Sequence, residues 1–265
     1  MADILVKAMG LQMAPSDRLH RAQQKRAIVL EFLADEVWSS IAIMQLLLDL
    51  SYSTTHALLK AMVAEGLLRE KAMFVGSTSG ARQILLVGIT SHGVAMAPNV
   101  FDASRSPWEA SKTHALGVPH QLLTQRMRLR SADCDWSEWL PARRLMGLGI
   151  AKLPDAQAID SNGQQVAVEI ERHIKTSKRY EAVVGAYIYE IRNHARWTRV
   201  DYVCPNVQFA QRLSHAFGGL RQLRLEVKGL PSRSAVIEQT HLDRFRFYSE
   251  PEWPSGQYFK ARKST

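Results

Sequence analysis

The stretch Ala151–Glu171 constrains the fold more than any other part of the chain. Its second half, Gln165-Val-Ala-Val-Glu-Ile-Glu, alternates strictly. That period of two puts Val166, Val168 and Ile170 on one face of a strand and Ala167, Glu169 and Glu171 on the other. Ser161-Asn162-Gly163 precedes it, a dipeptide signal for a tight hairpin, so Ala151–Asp160 is predicted to run antiparallel to it. Around this hairpin the periodicity predicts a helix over His114–Ala132, a segment Asp135–Leu140, a long helix over Thr176–His194, a strand Arg199–Cys204, a helix Val207–Phe217 and a strand Gln222–Val227. The order is α, β, β, β, α, β, α, β, which predicts a mixed α/β sheet.

The first hundred residues read differently. Ser16–Ala34 carries Leu19, Ala22, Ala27, Leu30 and Leu33 at helical spacing. A second helix follows within Glu36–Leu50, with Ser39 or Ser40 as N-cap before Ile41. A third, Thr54–Glu65, stops at Gly66, where glycine suits the turn past a helix end. The period then changes. Leu67–Val75 and Gln83–Thr90 are predicted strands joined through Gly76–Arg82, a β-hairpin. Three helices and then a hairpin is the order of a winged helix-turn-helix. The third helix opens with Ser53, Thr54, Thr55 and His56, donors and acceptors suited to phosphates and base edges, with Lys60 on the same side. Arg69, Lys71 and Arg82 lie on the hairpin, within reach of backbone phosphates. Protein contact or dimerisation is the competing use of such a module.

The chain has 265 residues and a formal charge of +9, almost all of the excess lying after residue 100. A field of that sign favours polyanions, nucleic acid first among them, although a solvated basic surface gives the same composition. Hydrophobic residues make up 46% and charged residues 22%, which excludes a disordered chain. No apolar run is long enough to span a bilayer, and Met1–Gly10 lacks the apolar core of a secretory signal. Two cysteines, Cys134 and Cys204, cannot make a disulfide framework. These features predict a cytoplasmic protein. Pro98–Glu109 is rich in Pro, Asn, Asp and Ser and reads as a linker. The predicted domains are therefore 1–104 and 105–265.

Asp155 follows Pro154 ahead of the hairpin turn, and Glu169 and Glu171 share a strand face. Three carboxylates converging from adjacent strands suit a hard divalent cation, Mg²⁺ or Mn²⁺, which bridges phosphate and lowers the pKa of a bound water. An acidic sheet edge paired with Arg172 and Lys175 is the other reading of the same residues.

Pro154-Asp155…Glu169-Ile170-Glu171 resembles the Pro-Asp…(Asp/Glu)-x-Lys motif of restriction-endonuclease-like nucleases. Together with the winged helix, His114-Ala-Leu, Trp136-Ser-Glu138 and Val168-Glu-Ile-Glu-Arg172, it resembles the replication-relaxation family, which includes MobC-type plasmid mobilisation relaxases. The resemblance implies a winged helix that recognises double-stranded origin DNA and a nuclease-like domain that nicks it with Mg²⁺ or Mn²⁺, with other mobilisation proteins as partners. It implies metal binding by Asp155, Glu169 and Glu171, and a further acidic group in Glu138. The motif's lysine position holds Glu171, so the resemblance leaves that role to Lys175 or Lys152, or else implies a non-catalytic DNA-binding regulator or relaxosome accessory. A defence or repair endonuclease would use the same chemistry.

No His-x-His pair is present, which argues against tyrosine-relaxase chemistry. His114 and His120 are six apart and do not share a helical face, and His114 reads as a packing or capping residue. Tyr180, Tyr187 and Tyr189 read mainly as core, with Tyr180 able to face the carboxylates. Arg172, Lys178, Arg179, Arg192, Arg196 and Arg199 are candidates to track phosphates.

Overall fold

The computed structural model describes residues 15–77, 80–98, 105–225 and 232–263. The chain is mixed α/β and divides into two compact units, Met1–Thr113 and His114–Thr265. Among the described residues, no helix is long and apolar enough to cross a membrane.

The first unit runs α1 (Pro15–Glu36), β1 (Trp38–Ser40), α2 (Ile41–Leu48), α3 (Tyr52–Ala64), β2 (Leu68–Ser77), β3 (Gly80–Ile89) and α4 (Ser91–Met96). The three strands order β1-β3-β2, all antiparallel. The helix ends follow capping chemistry. Ser40 caps α2 by accepting from the Ile43 amide, and Ser51 caps α3 by accepting from the Thr54 amide. The later half of α1 supplies Val29, Leu30, Phe32, Leu33 and Ala34 to a core shared with Ile43, Met44, Leu59, Met62, Leu86 and Ile89. β1 was not foreseen. Its three residues are too few to show an alternation, and it exists because Trp38, Ser39 and Ser40 complete the edge of β3. The tip of the β2–β3 hairpin, residues 78–79, and linker residues 99–104 lie outside the described residues.

The division between units falls at Thr113, nine residues beyond the boundary the linker composition suggests. Trp108 explains the difference. It is 2% exposed, its amide donates to Ile89 O at 2.8 Å, and its indole Nε1 donates to Thr113 Oγ1 at 2.7 Å. A Cβ at position 88 would stand 2.3 Å from its ring, so Gly88 leaves the space the indole fills. Lys71 adds a bond to Ala110 O at 2.8 Å. Residues 105–113 are thus part of the first unit's packing.

The second unit runs α5 (Val118–Ala132), β4 (Ser137–Pro141), α6 (Ala142–Leu145), β5 (Ala156–Ile159), β6 (Gln165–Ile170), α7 (Ser177–His194), β7 (Arg199–Cys204), α8 (Val207–Gly218), β8 (Gln222–Leu225), β9 (Arg233–Val236), α9 (Gln239–Leu242), β10 (Phe245–Ser249) and β11 (Tyr258–Lys260). Six strands form one sheet in the order β11-β10-β7-β6-β5-β4. Strands β4, β5 and β6 are antiparallel, β6, β7 and β10 are parallel, and β11 closes the far edge antiparallel.

The β5–β6 turn forms as its sequence predicts. Gly163 takes φ 75°, and Asp160 Oδ1 accepts from the Asn162 and Gln164 amides, both at 2.9 Å. The strict alternation of β6 sorts the sheet faces. Ala167 joins Tyr180, Val184, Tyr187, Tyr202, Leu213, Phe217, Phe245 and Phe247 beneath α7 and α8. Val166, Val168 and Ile170 join Met127 of α5 with Trp136, Trp139 and Trp253 on the opposite face. Two expectations are corrected. β8 pairs with β9 in a separate two-stranded sheet, and residues 226–227 of the predicted strand lie outside the described residues. The place beside β7 belongs instead to β10, whose alternating Phe245 and Phe247 are fully buried.

Candidate functional site

Asp155 immediately precedes β5, whose first residue, Ala156, pairs with Val168. The hairpin therefore carries Asp155 to the end of β6 that holds Glu169. Asp155 Oδ2 accepts from the Ile170 amide at 2.7 Å, which fixes the carboxylate across the two strands. Its Oδ1 lies 3.0 Å from His120 Nε2, in the first turn of α5. Burial works against the charged carboxylate. The His120 hydrogen bond and charge, the Ile170 amide and Lys152 outweigh it and hold Asp155 below the usual carboxylate range. The hydrogen bond to Asp155 in turn raises the His120 imidazole against its own partial burial.

Glu169 is 5% exposed and faces α7. It accepts from Tyr187 Oη and from Lys152 Nζ, and Lys152 also donates to Leu153 O at 2.6 Å. The Lys152 ammonium lies 5.5 Å from the centre of the Tyr187 ring. Burial pushes the Glu169 carboxyl up and the nearby Asp155 charge adds to this, with Lys152 opposing. Burial beside Glu169 also lifts the Tyr187 phenol well above its ordinary value. Two neighbouring carboxyls are thus driven in opposite directions, Asp155 towards the anion and Glu169 towards the acid. That separation is the pattern of acid/base sites.

Glu171 lies just beyond β6 and is 4% exposed. Lys175 Nζ donates to its Oε2 at 2.6 Å and Tyr180 Oη at 3.3 Å, while the Lys175 amide donates to Tyr180 Oη at 3.1 Å. Tyr180 faces the carboxylates while also packing on Phe217 at 4.9 Å between ring centres. Asp155, Glu169, Glu171 and Lys175 therefore sit at one end of the central strands, but not as three ligands around one ion. Among the described residues, no group of three His, Cys, Asp or Glu side chains could hold a metal. A basic side chain meets each carboxylate: His120 at Asp155, Lys152 at Glu169 and Lys175 at Glu171. Burial makes such pairing obligatory for anions kept out of water.

Glu138 does not join this cluster. It is exposed with φ 50°, at an irregularity between Ser137 and Leu140 on the edge strand β4. It lies towards the Ser137 end, which pairs with Ile159, whereas Pro141 at the other end pairs with Ala156, next to Asp155. His120 and Tyr187 were missed as site residues. The signal for His120 was its place directly after Pro119, in the turn that opens the helix before the hairpin.

Phosphate-tracking by Arg199 is also corrected. Arg199 is buried and binds Asp160 Oδ2 at 2.6 Å and Asp201 Oδ1 at 2.9 Å. Arg196 pairs with Glu190 at 3.1 Å.

In the first unit, Ser53 and Thr54 are exposed at the start of α3, and His56 stacks on Tyr52 with ring centres 5.9 Å apart. Thr55 is fully buried, because its position in α3 turns it to the core with Leu59 and Met62. It is therefore removed from the expected contact surface. Lys60 pairs with Glu70 at 2.7 Å, and Lys71 is tied to Ala110 O, so neither presents an unengaged cation. Arg69 and Arg82 are exposed on the two hairpin strands.

Comparison of the chain with protein-family models, curated proteins and solved structures finds no match.

Proposed function

We propose that the chain is a DNA-binding protein of the plasmid-mobilisation relaxase type. In this reading the first unit acts as a winged helix-turn-helix on double-stranded origin DNA, and the second as a restriction-endonuclease-like domain that nicks it. The order helix, strand, two helices and a hairpin, with strand order β1-β3-β2, supports the first half.

One observation carries the second half. Asp155 and Glu169 face each other across a hairpin, with Lys152 and Lys175 on the neighbouring carboxylates. The lysine absent from position 171 thereby has replacements in contact with the cluster. A divalent cation of the magnesium type needs one or two carboxylates and completes its shell with water and phosphate oxygens. Asp155 and Glu169 would be those two carboxylates, each turning from the basic partner it holds in this structure, His120 or Lys152. When bound, Mg²⁺ or Mn²⁺ would supply an activated water and offset charge on the phosphodiester. The chain's own groups orient the site. His120 and the Ile170 amide hold Asp155, Tyr187 holds Glu169, and Lys152 and Lys175 place positive charge where a phosphate would approach.

The test is nicking of supercoiled origin plasmid with Mg²⁺ or Mn²⁺. Asp155→Asn and Glu169→Gln are expected to lower the rate at least about 100-fold with DNA binding retained. Wild-type protein that binds the plasmid and never nicks it would favour the second reading, a non-catalytic DNA-binding regulator or relaxosome accessory. The pairing of every site carboxylate with a basic side chain favours that alternative.

A further inference from the structure

The first half of α1 extends beyond the core, with residues 16–23 exposed. Arg18, Arg21 and Lys25 stand at helical spacing on one side of it. With Ala22 they line a groove of about 330 Å³ whose other wall is Leu50, Thr54 and Leu58. The groove thus has an apolar floor, a basic rim and a hydroxyl. Asp17 on α1 and Asp49, which directly precedes Leu50, are its acidic neighbours in sequence. α3 contains no Asp or Glu, and α1 contains only Asp17 before Glu31. Arg26, the next cation on α1, is not part of the groove lining and pairs with Glu65.

We infer that this groove grips the sugar-phosphate backbone of double-stranded DNA through Arg18, Arg21 and Lys25, beside the exposed start of α3. Seven residues of helix set the outer two cations about 10 Å apart along the axis, a span that reaches successive phosphates rather than a single one. Guanidinium groups suit this role because their planar donor fork matches phosphate oxygens. The groove also widens the contact surface after the loss of Thr55. The inference rests on the DNA-binding reading above and adds a surface that reading does not contain.

The experiment is fluorescence anisotropy of the full chain with a labelled duplex of arbitrary sequence, titrated between about 50 and 200 mM salt. The triple variant Arg18→Gln, Arg21→Gln, Lys25→Gln is compared with wild type and with Arg69→Gln, Arg82→Gln. All five positions are at or near the surface, and a thermal melt verifies that each variant folds. Each phosphate contact contributes about 0.9 to the slope of log K against log salt, so the triple variant is expected to lose about 2.7 from that slope. It is also expected to lose at least tenfold in affinity, roughly equally for every sequence tested. An unchanged slope and affinity in the triple variant, with wild type binding DNA, would overturn the groove and leave the DNA-binding reading standing. Wild type that binds no duplex would overturn both. Tighter binding of duplex RNA than of DNA, abolished in the triple variant, would overturn the assignment to DNA. Inorganic phosphate that saturates the groove and displaces no DNA would mark it as a single-anion site and overturn the backbone assignment.

Discussion

Replacing Arg199 with methionine is the sharpest test of how the second unit is held together. The guanidinium bridges Asp160 and Asp201 at 2.6 and 2.9 Å, and lies 5.6 Å from the centre of the Trp136 ring. The three side chains are 8%, 4% and 0% exposed. Methionine keeps most of the volume and removes the charge, leaving two carboxylates in a low-dielectric layer. Breaking a buried pair in this way costs about 3–5 kcal/mol. For a domain of this size that lowers Tm by roughly 6–20 °C. The pH dependence follows from the signs. Burial tends to raise Asp160, but the Arg199 bond and neighbouring amides hold it below its ordinary value, so its contribution is present above that value and lost in acid. Burial raises Asp201 despite Arg199, so stability falls as pH rises from the ordinary carboxylate value to its folded value. Without Arg199 both carboxyls rise, and the variant's deficit should grow between about pH 4 and pH 7. Urea unfolding at both pH values measures it. A deficit below about 1 kcal/mol at neutral pH, or one equal at both pH values, would refute the reasoning. Adding Asp160→Asn and Asp201→Asn to Arg199→Met should recover much of the loss, since neutral groups carry a far smaller desolvation penalty.

Two further outcomes are expected. Gly88→Ala brings a methyl group to 2.3 Å from the Trp108 ring, which should cost about 1–3 kcal/mol and open residues 105–113 to limited proteolysis. Unchanged protease resistance would mean that Trp108 does not anchor that segment. Asp155→Asn should lower the His120 pKa measured by NMR titration, because the hydrogen bond to Asp155 is the main cause of its elevation. A raised histidine contributes stability below its ordinary value of about 6.5 and loses it as pH rises through the folded value, so the variant's stability curve should flatten in that window.

Much of the framework could be read before any coordinates. The strict alternation of Gln165–Glu171 and the Asn162-Gly163 turn determine the hairpin and place Glu169 and Glu171 on one face, because these signals are local to a strand and its turn. Ser40 and Ser51 mark helix starts for the same reason, since a cap bonds an amide three residues away. The third strand of the first unit, the insertion of β10 beside β7 and the attachment of Trp108 to Gly88 depend on partners distant in the chain, and no local pattern encodes which partner arrives. The acidic cluster divides in the same way. Spacing alone brought Asp155 and Glu169 to one end of the hairpin, but only tertiary packing could show that His120, Lys152, Lys175 and Tyr187 meet those carboxylates, because buried charge takes whichever counterpart the surrounding helices deliver.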